Sequence, residues 1–580
     1  MTGRFAFAGL LLILGVTSAR PQSPSPRTNN EPAEKAIDNR TGPITGRVVD
    51  ESGQPMANAV VNVFAAGKQQ PDRRTTQADQ AGRFQVDDLP RGIYSVTAQV
   101  RGYTFWREPG EQAYFRPGAS VTLRVRKGGV ITGTVTRATG EPVVAVRVNA
   151  VRVRDLEGRP ITAFAGGTPR YTDDRGVYRL FALAPGVYLV SAGGKVPGYS
   201  FPTAFDDDLP VYYPSSTRDT AAQVVVHSGD ESTGIDIRYR SEQGHSITGV
   251  ITNIGSERSG ANVWLTRPGG DAVEAQSFSQ PRGDEYAFGF HGISDGEYFV
   301  NARRAPYQND DGAGSKPVRV RVKGQDVTGV EVALVPFGSV AGRIILEPLT
   351  AKEKKCESKL PLSVEELLIT ARRDEEDQAR GPVLSVFGSS LAAPNEKGEF
   401  AIRGLEAGNF HLEPIALDQA WYVRSITLPA SARATRTLDA GRNGFAVKPG
   451  EHKTGLAVVL SEGAASLEGR VEPEKDALLP GRLRVHLVPA EPQAAEDLMR
   501  FAETETGSDG TFKLSNLAPG RYWFVVRQVD EAETSQSSRQ RAAWNATTRA
   551  SLRRGAEALN IVVELKQCQR VVDHVLRYKR

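Results

Sequence analysis

The chain writes one pattern five times, and a repeat constrains architecture more than any single motif does. Each copy opens on an apolar-x-Gly-x-apolar strand signal. The five glycines are Gly46, Gly133, Gly249, Gly342 and Gly469, flanked by Ile44 and Val48, Ile131 and Val135, Ile247 and Ile251, Val340 and Ile344, and Leu467 and Val471. In a strand of period two the apolar pair and the glycine share one face, and the missing side chain lets a neighbour approach closely.

A second signal follows in each copy, as in Leu89-Pro90-Arg91-Gly92-Ile93-Tyr94 and Leu517-Ala518-Pro519-Gly520-Arg521-Tyr522. Its glycines, Gly92, Gly186, Gly296, Gly408 and Gly520, are expected to take the positive φ of a type II turn. An aromatic then opens an alternating strand: Tyr94, Tyr188, Tyr298, Phe410 or Tyr522. Ten residues before each stands another aromatic, Phe84, Tyr178, Phe288, Phe400 or Phe512. Asp79, Asp173, Asn395 and Asp509 precede four of these with a nearby glycine, the mark of an Asx turn feeding a strand. The third copy has Tyr286 in the glycine position, so its turn differs. A closing signal pairs Gly229, Gly324, Gly450 and Gly555 with an apolar residue six later: Ile235, Val330, Leu456 and Ile561.

Many short strands between turn signals, with almost no helical period, predict an all-β chain of five tandem immunoglobulin-like sandwiches. The expected boundaries are 44–127, 128–240, 244–336, 337–462 and 464–566, followed by a basic tail over 567–580. Val572, Val575 and Leu576 in that tail allow a short helix or a frayed end. Units of this size can bury their own cores, and short linkers predict a semi-extended rod of beads.

The N-terminus reads as an address. Arg4 precedes an apolar run over residues 5–16 and a small-residue stretch ending at Ala19, the layout of a secretory signal peptide over 1–19. Residues 20–43 are Pro/Ser-rich and read as a flexible linker. Export is therefore expected, to a periplasmic, cell-surface or extracellular location, with no transmembrane span after cleavage. Basic and acidic residues number 72 and 68 and are interspersed, which leaves no electrostatic footprint for nucleic acid. Two cysteines, Cys356 and Cys568, exclude a disulfide framework. Whether the two pair is open at this level, since sequence does not show proximity.

The strand signal, the Asp-x-x-Gly-x-Phe turn and Leu-x-Pro-Gly-x-Tyr together resemble the carboxypeptidase regulatory-like domain over nearly all of 44–566. The resemblance implies a transthyretin-like (prealbumin-like) sandwich, grouped with carbohydrate-binding-like folds and found in bacterial secreted and surface proteins. It implies an accompanying rather than a catalytic role. The sequence agrees: no histidine has Glu three residues downstream, as a zinc carboxypeptidase needs, and no Gly-x-Ser-x-Gly elbow or phosphate loop occurs. No enzyme activity, cofactor or metal is expected.

Two unrepeated segments are candidates for ligand contact: Tyr103, Phe105, Trp106 and Tyr114 in 103–115, and Tyr199, Phe201, Tyr212 and Tyr213 in 199–213. Exposed aromatics beside carboxylates suit sugar stacking, while the same residues could simply cap a sandwich edge. Asp206, Asp207 and Asp208, with Asp310 and Asp311, lack calcium-loop spacing and read as solvated loop charge. The expected function is a non-catalytic spacer, adhesion or scaffold protein of the cell envelope. The alternatives are a polysaccharide-binding protein using the aromatic segments, with polysaccharide or another envelope protein as partner, and an accessory factor for a peptidase system.

Overall fold

A computed structural model describes residues 41–580 except 69–71, 108–111, 157, 159–160, 162–168, 196–202, 255–259, 269–272, 283–284, 307–309, 351–355, 357–361, 375–390, 430–436, 475–478, 481, 508, 530–540 and 579–580. The expected signal peptide and most of the linker lie outside the described residues.

Strands dominate, and they enclose five large apolar clusters in chain order. Around the first, one sheet runs Arg83–Pro90, Thr41–Val49, Ser120–Lys127, Tyr103–Trp106, and the other Arg73–Gln77, Val60–Ala65, Tyr94–Gln99, Tyr114–Phe115. The alternation predicted from sequence is visible in Tyr94–Gln99, where Tyr94, Val96 and Ala98 are buried and Ser95 and Thr97 are not. Every copy repeats one arrangement: its first strand is antiparallel to the strand carrying the first aromatic and parallel to the closing strand.

That arrangement explains the first-strand glycine. Gly46 lies opposite Phe84 on one side and Val121 on the other; Gly249, Gly342 and Gly469 lie likewise between Phe288 and Val330, Phe400 and Leu456, and Phe512 and His574. A Cβ at Gly249 would sit 2.8 Å from the Phe288 ring and closer still to the Val330 carbonyl oxygen. The cross-strand ring thus covers the bare glycine, and the closing strand bulges into the same gap.

The corners behave partly as expected. The second-signal glycines all take positive φ, but between 150° and 158° rather than near the 80° of a type II turn. The aromatic after each turn locks it: Tyr94, Tyr188, Tyr298 and Tyr522 donate their hydroxyls to the carbonyl four residues back, at 2.8, 2.6, 2.9 and 2.7 Å. Burial pushes the Tyr94, Tyr188 and Tyr522 hydroxyls up to about 12. Asp79, Asp173 and Asn395 each accept two backbone N–H groups at 2.8–3.0 Å, as an Asx turn requires. In the third copy Gln280–Arg282 folds onto Glu285–Ile293 instead.

The closing signal of the fifth copy is not where the sequence suggested. Gly555 lies within the helix Ala546–Leu559, and Ile561 precedes the second-layer strand Val562–Leu565. The parallel closing strand is Arg570–Tyr578, so the basic tail is neither helix nor frayed end but part of the fifth core. In other copies the turn and the bulge before this strand use glycines with left-handed φ, such as Gly324 and Gly329 (64° and 72°) and Gly450 and Gly455 (65° and 83°). Cys568 and Asp573 take those places at 56° each. The match was hidden because neither residue is glycine.

Candidate functional site

The segments singled out for ligand contact do not form one platform. Tyr103 and Phe105 sit in an edge strand against the first core, half-buried, while Tyr114 belongs to the opposite sheet, beside Ser95. The Trp106 backbone pairs with Arg124 in the same edge strand as Tyr103. Tyr213 packs against the second core, and its N–H donates to the Val190 carbonyl at 2.9 Å. Tyr212 pairs with Ser191, and burial followed by the Glu274 charge pushes its hydroxyl up to about 12. Tyr199 and Phe201 lie outside the described residues.

Asp207 is exposed, as expected, but the other four loop carboxylates are engaged by protein groups. Asp208 is buried and accepts from the Tyr239 hydroxyl at 2.7 Å and the Ser241 hydroxyl at 2.9 Å. Asp206 lies 3.2 Å from buried Arg147. Asp311, also buried, faces Arg403 at 3.4 Å and His452 at 3.1 Å, and Asp310 pairs with Arg304 at 2.7 Å. Among the described residues no group of three or more His, Cys, Asp or Glu could hold a metal ion.

Asp311 and the loop that carries Asp206 and Asp208 lie at junctions between successive copies. The strand before each corner carries a bulge whose residue is left-handed: Asp88, Ala182, Gly292, Gly404 and Asn516, at φ 54° to 70°. From the second copy onward that bulge faces the copy before it. Ala182 packs on Gly128, the residue that joins the second copy to the first and whose N–H donates to the Gly102 carbonyl at 2.8 Å, and Gly292 lies over the backbone of Asp206 and Asp208. Gly404 accepts from Arg303 at 3.3 Å. Asn516 donates from Nδ2 to the carbonyls of Asp418 and Trp421 at 2.8 and 2.7 Å. A left-handed residue turns its backbone polar groups out of the sheet, where a neighbouring loop can use them.

Further contacts cross between copies. Arg116 of the first lies 3.5 Å from Glu366 and 3.6 Å from Asp418 of the fourth, and the Ala393 N–H donates to the Gly67 carbonyl at 3.0 Å. A cleft of about 530 Å³ beside this contact is lined by Arg91, Tyr94, Glu365 and Glu399. Beads joined only to their sequence neighbours would not bring these copies together, so the rod expectation fails. The fourth and fifth copies are joined by the Cys356–Cys568 disulfide, with Cα atoms 5.0 Å apart. Between these two copies lies a cleft of about 450 Å³ that includes Trp421, Tyr522 and Trp544. Its charges are spoken for: Glu413 meets Arg372 at 2.7 Å and Arg541 at 3.0 Å. Burial pushes the Glu503 carboxyl up, but the His486 hydrogen bond and the His486 and Arg484 charges outweigh it and leave a lowered pKa. Arg527 Nε lies 3.0 Å from His486 Nε2, and His486 Nδ1 lies 3.1 Å from Glu503.

Residues 43–127 match the model of the family described as "Carboxypeptidase regulatory-like domain". The first copy is thus similar to a carboxypeptidase regulatory-like domain. The other four copies repeat its first-strand pairing, antiparallel to the strand of the first aromatic and parallel to the closing strand. No curated protein matches the chain. Among solved structures the chain is similar to the Bacillus anthracis TIE protein, at 14% identity over 50% of this chain and 51% of that one, TM-score 0.13. It is also similar to GBS52, the minor pilin of Streptococcus agalactiae, at 13% identity over 35% of this chain and 98% of that one, TM-score 0.19. The shaft pilin SpaA of Lactobacillus rhamnosus GG gives 10% identity, 34% and 98% coverage, and TM-score 0.16. The chain spans about half the length of the first of these. Among the described residues no helix is long and apolar enough to cross a membrane.

Proposed function

We propose that the protein is a non-catalytic, exported scaffold: five separately folding sandwiches over 44–127, 128–240, 244–336, 337–462 and 464–578, docked into a fixed arrangement at the cell envelope. The carrying observation is the repeated junction, in which the left-handed bulge of each later copy meets the copy before it. Asp311, Glu366 and Glu413 are engaged by charged groups of another copy at such contacts. Export is supported by the Cys356–Cys568 disulfide, which forms and persists in an oxidising compartment.

The test is limited proteolysis with the disulfide intact, alongside assays for peptide and glycoside hydrolysis and for saturable binding to polysaccharides. A docked scaffold resists cleavage between copies, shows no turnover and binds no glycan. Rapid cutting between successive copies refutes the docking, and turnover by pure protein refutes the non-enzymatic reading. Glycan binding that is lost in Trp106→Ala, with folding intact, would establish the polysaccharide-binding alternative instead.

A further inference from the structure

The fifth copy leaves a sheet edge open that three other copies close. In the first, the outer edge of the closing strand Ser120–Lys127 is paired by Tyr103–Trp106; in the third, Val327–Pro336 is paired by Ala313–Ser315; in the fourth, His452–Glu462 is paired by Trp421–Pro429. Among the described residues no strand pairs with the outer edge of Arg570–Tyr578, which ends the order Thr511–Leu517, Ala465–Pro473, Arg570–Tyr578. An unpaired edge presents a row of N–H and C=O groups to any extended strand. The bulge at Asp573 does not forbid pairing, since the strands with bulges at Gly329 and Gly455 are paired beyond them.

We propose that this edge binds the same edge of a second copy of the chain, antiparallel and two-fold symmetric about Val575. The side chains select that occupant. The bulge residue Asp573 and, beyond it, Val575 and Arg577 lie on the solvent face, where all three are exposed, Val575 is 48% accessible and Arg577 also meets Glu472 of its own chain at 3.3 Å. A two-fold through Val575 sets Asp573 of each copy opposite Arg577 of the other, and Val575 opposite itself. The order acid, apolar, base is self-complementary only for antiparallel pairing, and directly opposed unlike charges and β-branched pairs stabilise a sheet. A single strand pair buries less than a standard interface, so the dimer is weak and concentration-dependent.

Sedimentation equilibrium of the full chain from about 5 to about 200 µM, a range suited to weak association, tests this. The wild type is expected to show a monomer–dimer equilibrium. Val575→Lys, Arg577→Glu and Asp573→Lys should each weaken it at least tenfold with thermal unfolding unchanged. Mixing the Arg577→Glu and Asp573→Lys proteins should restore a heterodimer, because each supplies the charge the other now needs. Should Asp573→Lys fail to fold, Val575→Lys and Arg577→Glu still decide the matter. A wild type monomeric throughout overturns the proposal, as does a dimer indifferent to these substitutions. Slow exchange in the monomer of those amides of 570–578 that point away from Ala465–Pro473 also overturns it, because the chain would then cover its own edge.

Discussion

Cutting the Cys356–Cys568 link tests how the fourth and fifth copies hold together. Cys356 packs on the fourth core and Cys568 lies in the turn that opens the last strand of the fifth, 212 residues apart. In the loop-entropy account, tethering ends about 212 residues apart removes about 5.4 kcal/mol from the unfolded state at 25 °C. If only the fifth copy unfolds, the tethered loop runs from the end of the fourth copy to Cys568, roughly 105 residues, and the figure is about 4.8 kcal/mol. The two cases differ little, so Cys356→Ser should destabilise the fifth copy by up to about 5 kcal/mol whichever unit unfolds. Measured disulfides usually deliver about 2–4 kcal/mol, and that is the expected range.

Cys568 carries a second, separable term. Its φ of 56° is left-handed, the conformation that Gly229, Gly324 and Gly450 adopt at the same turn in other copies. A non-glycine residue there costs about 1 kcal/mol. Cys568→Gly therefore loses the cross-link but relieves the backbone, and should be about 1 kcal/mol less destabilising than Cys356→Ser. Urea unfolding of both variants, beside the wild type with and without a thiol reductant, measures the two terms. A loss below about 1 kcal/mol in Cys356→Ser would refute the tether argument, and a larger loss in Cys568→Gly than in Cys356→Ser would refute the assignment of the turn.

Other consequences are independent of the disulfide. Gly249→Ala drives a methyl into the Val330 carbonyl and to 2.8 Å from the Phe288 ring, and should destabilise the third copy by about 3 kcal/mol in chemical denaturation. Ala182→Gly relaxes a φ of 58° and should raise stability by about 0.5–1 kcal/mol, visible as a higher urea midpoint. Tyr94→Phe removes the 2.8 Å hydrogen bond to the Pro90 carbonyl and should cost about 1 kcal/mol; Phe410, which has no hydroxyl, shows that the corner still forms. His574 stacks on Phe524, and burial lowers its pKa below the ordinary 6.5. The unfolded chain then takes up its proton first. Its contribution to stability is intact above about pH 6.5 and declines as pH falls from there toward the folded value. Unfolding midpoints across pH 5–8 should slope in the wild type and flatten in His574→Phe; equal slopes would remove His574 from the account.

Much of the fold was legible because its determinants are short-range. The Asx turn at Asp79 uses N–H groups two and four residues on, and the corner at Tyr94 uses a carbonyl four residues back. Copied in each unit, such local chemistry leaves a spacing that can be read along the chain. Legibility failed where one backbone geometry was met by a different residue. Cys568 and Asp573 hold left-handed positions that glycine marks elsewhere, so the last strand passed for a tail. The left-handed bulge residue is Asp, Ala, Gly, Gly and Asn in turn, and no sequence pattern announces it.

By itself, then, the sequence determined what each copy is: a sandwich wired through a bare glycine, a covering ring and a hydrogen-bonded corner. Only the tertiary structure decided how the copies meet. The approach of Arg116 to Glu366 across 250 residues and the pairing of Cys356 with Cys568 are encounters between distant segments. Their energy depends on complementary surfaces that exist only after each copy has folded. A chain read residue by residue shows the charge on Arg116 and the thiol of Cys356, but not what each will find beside it.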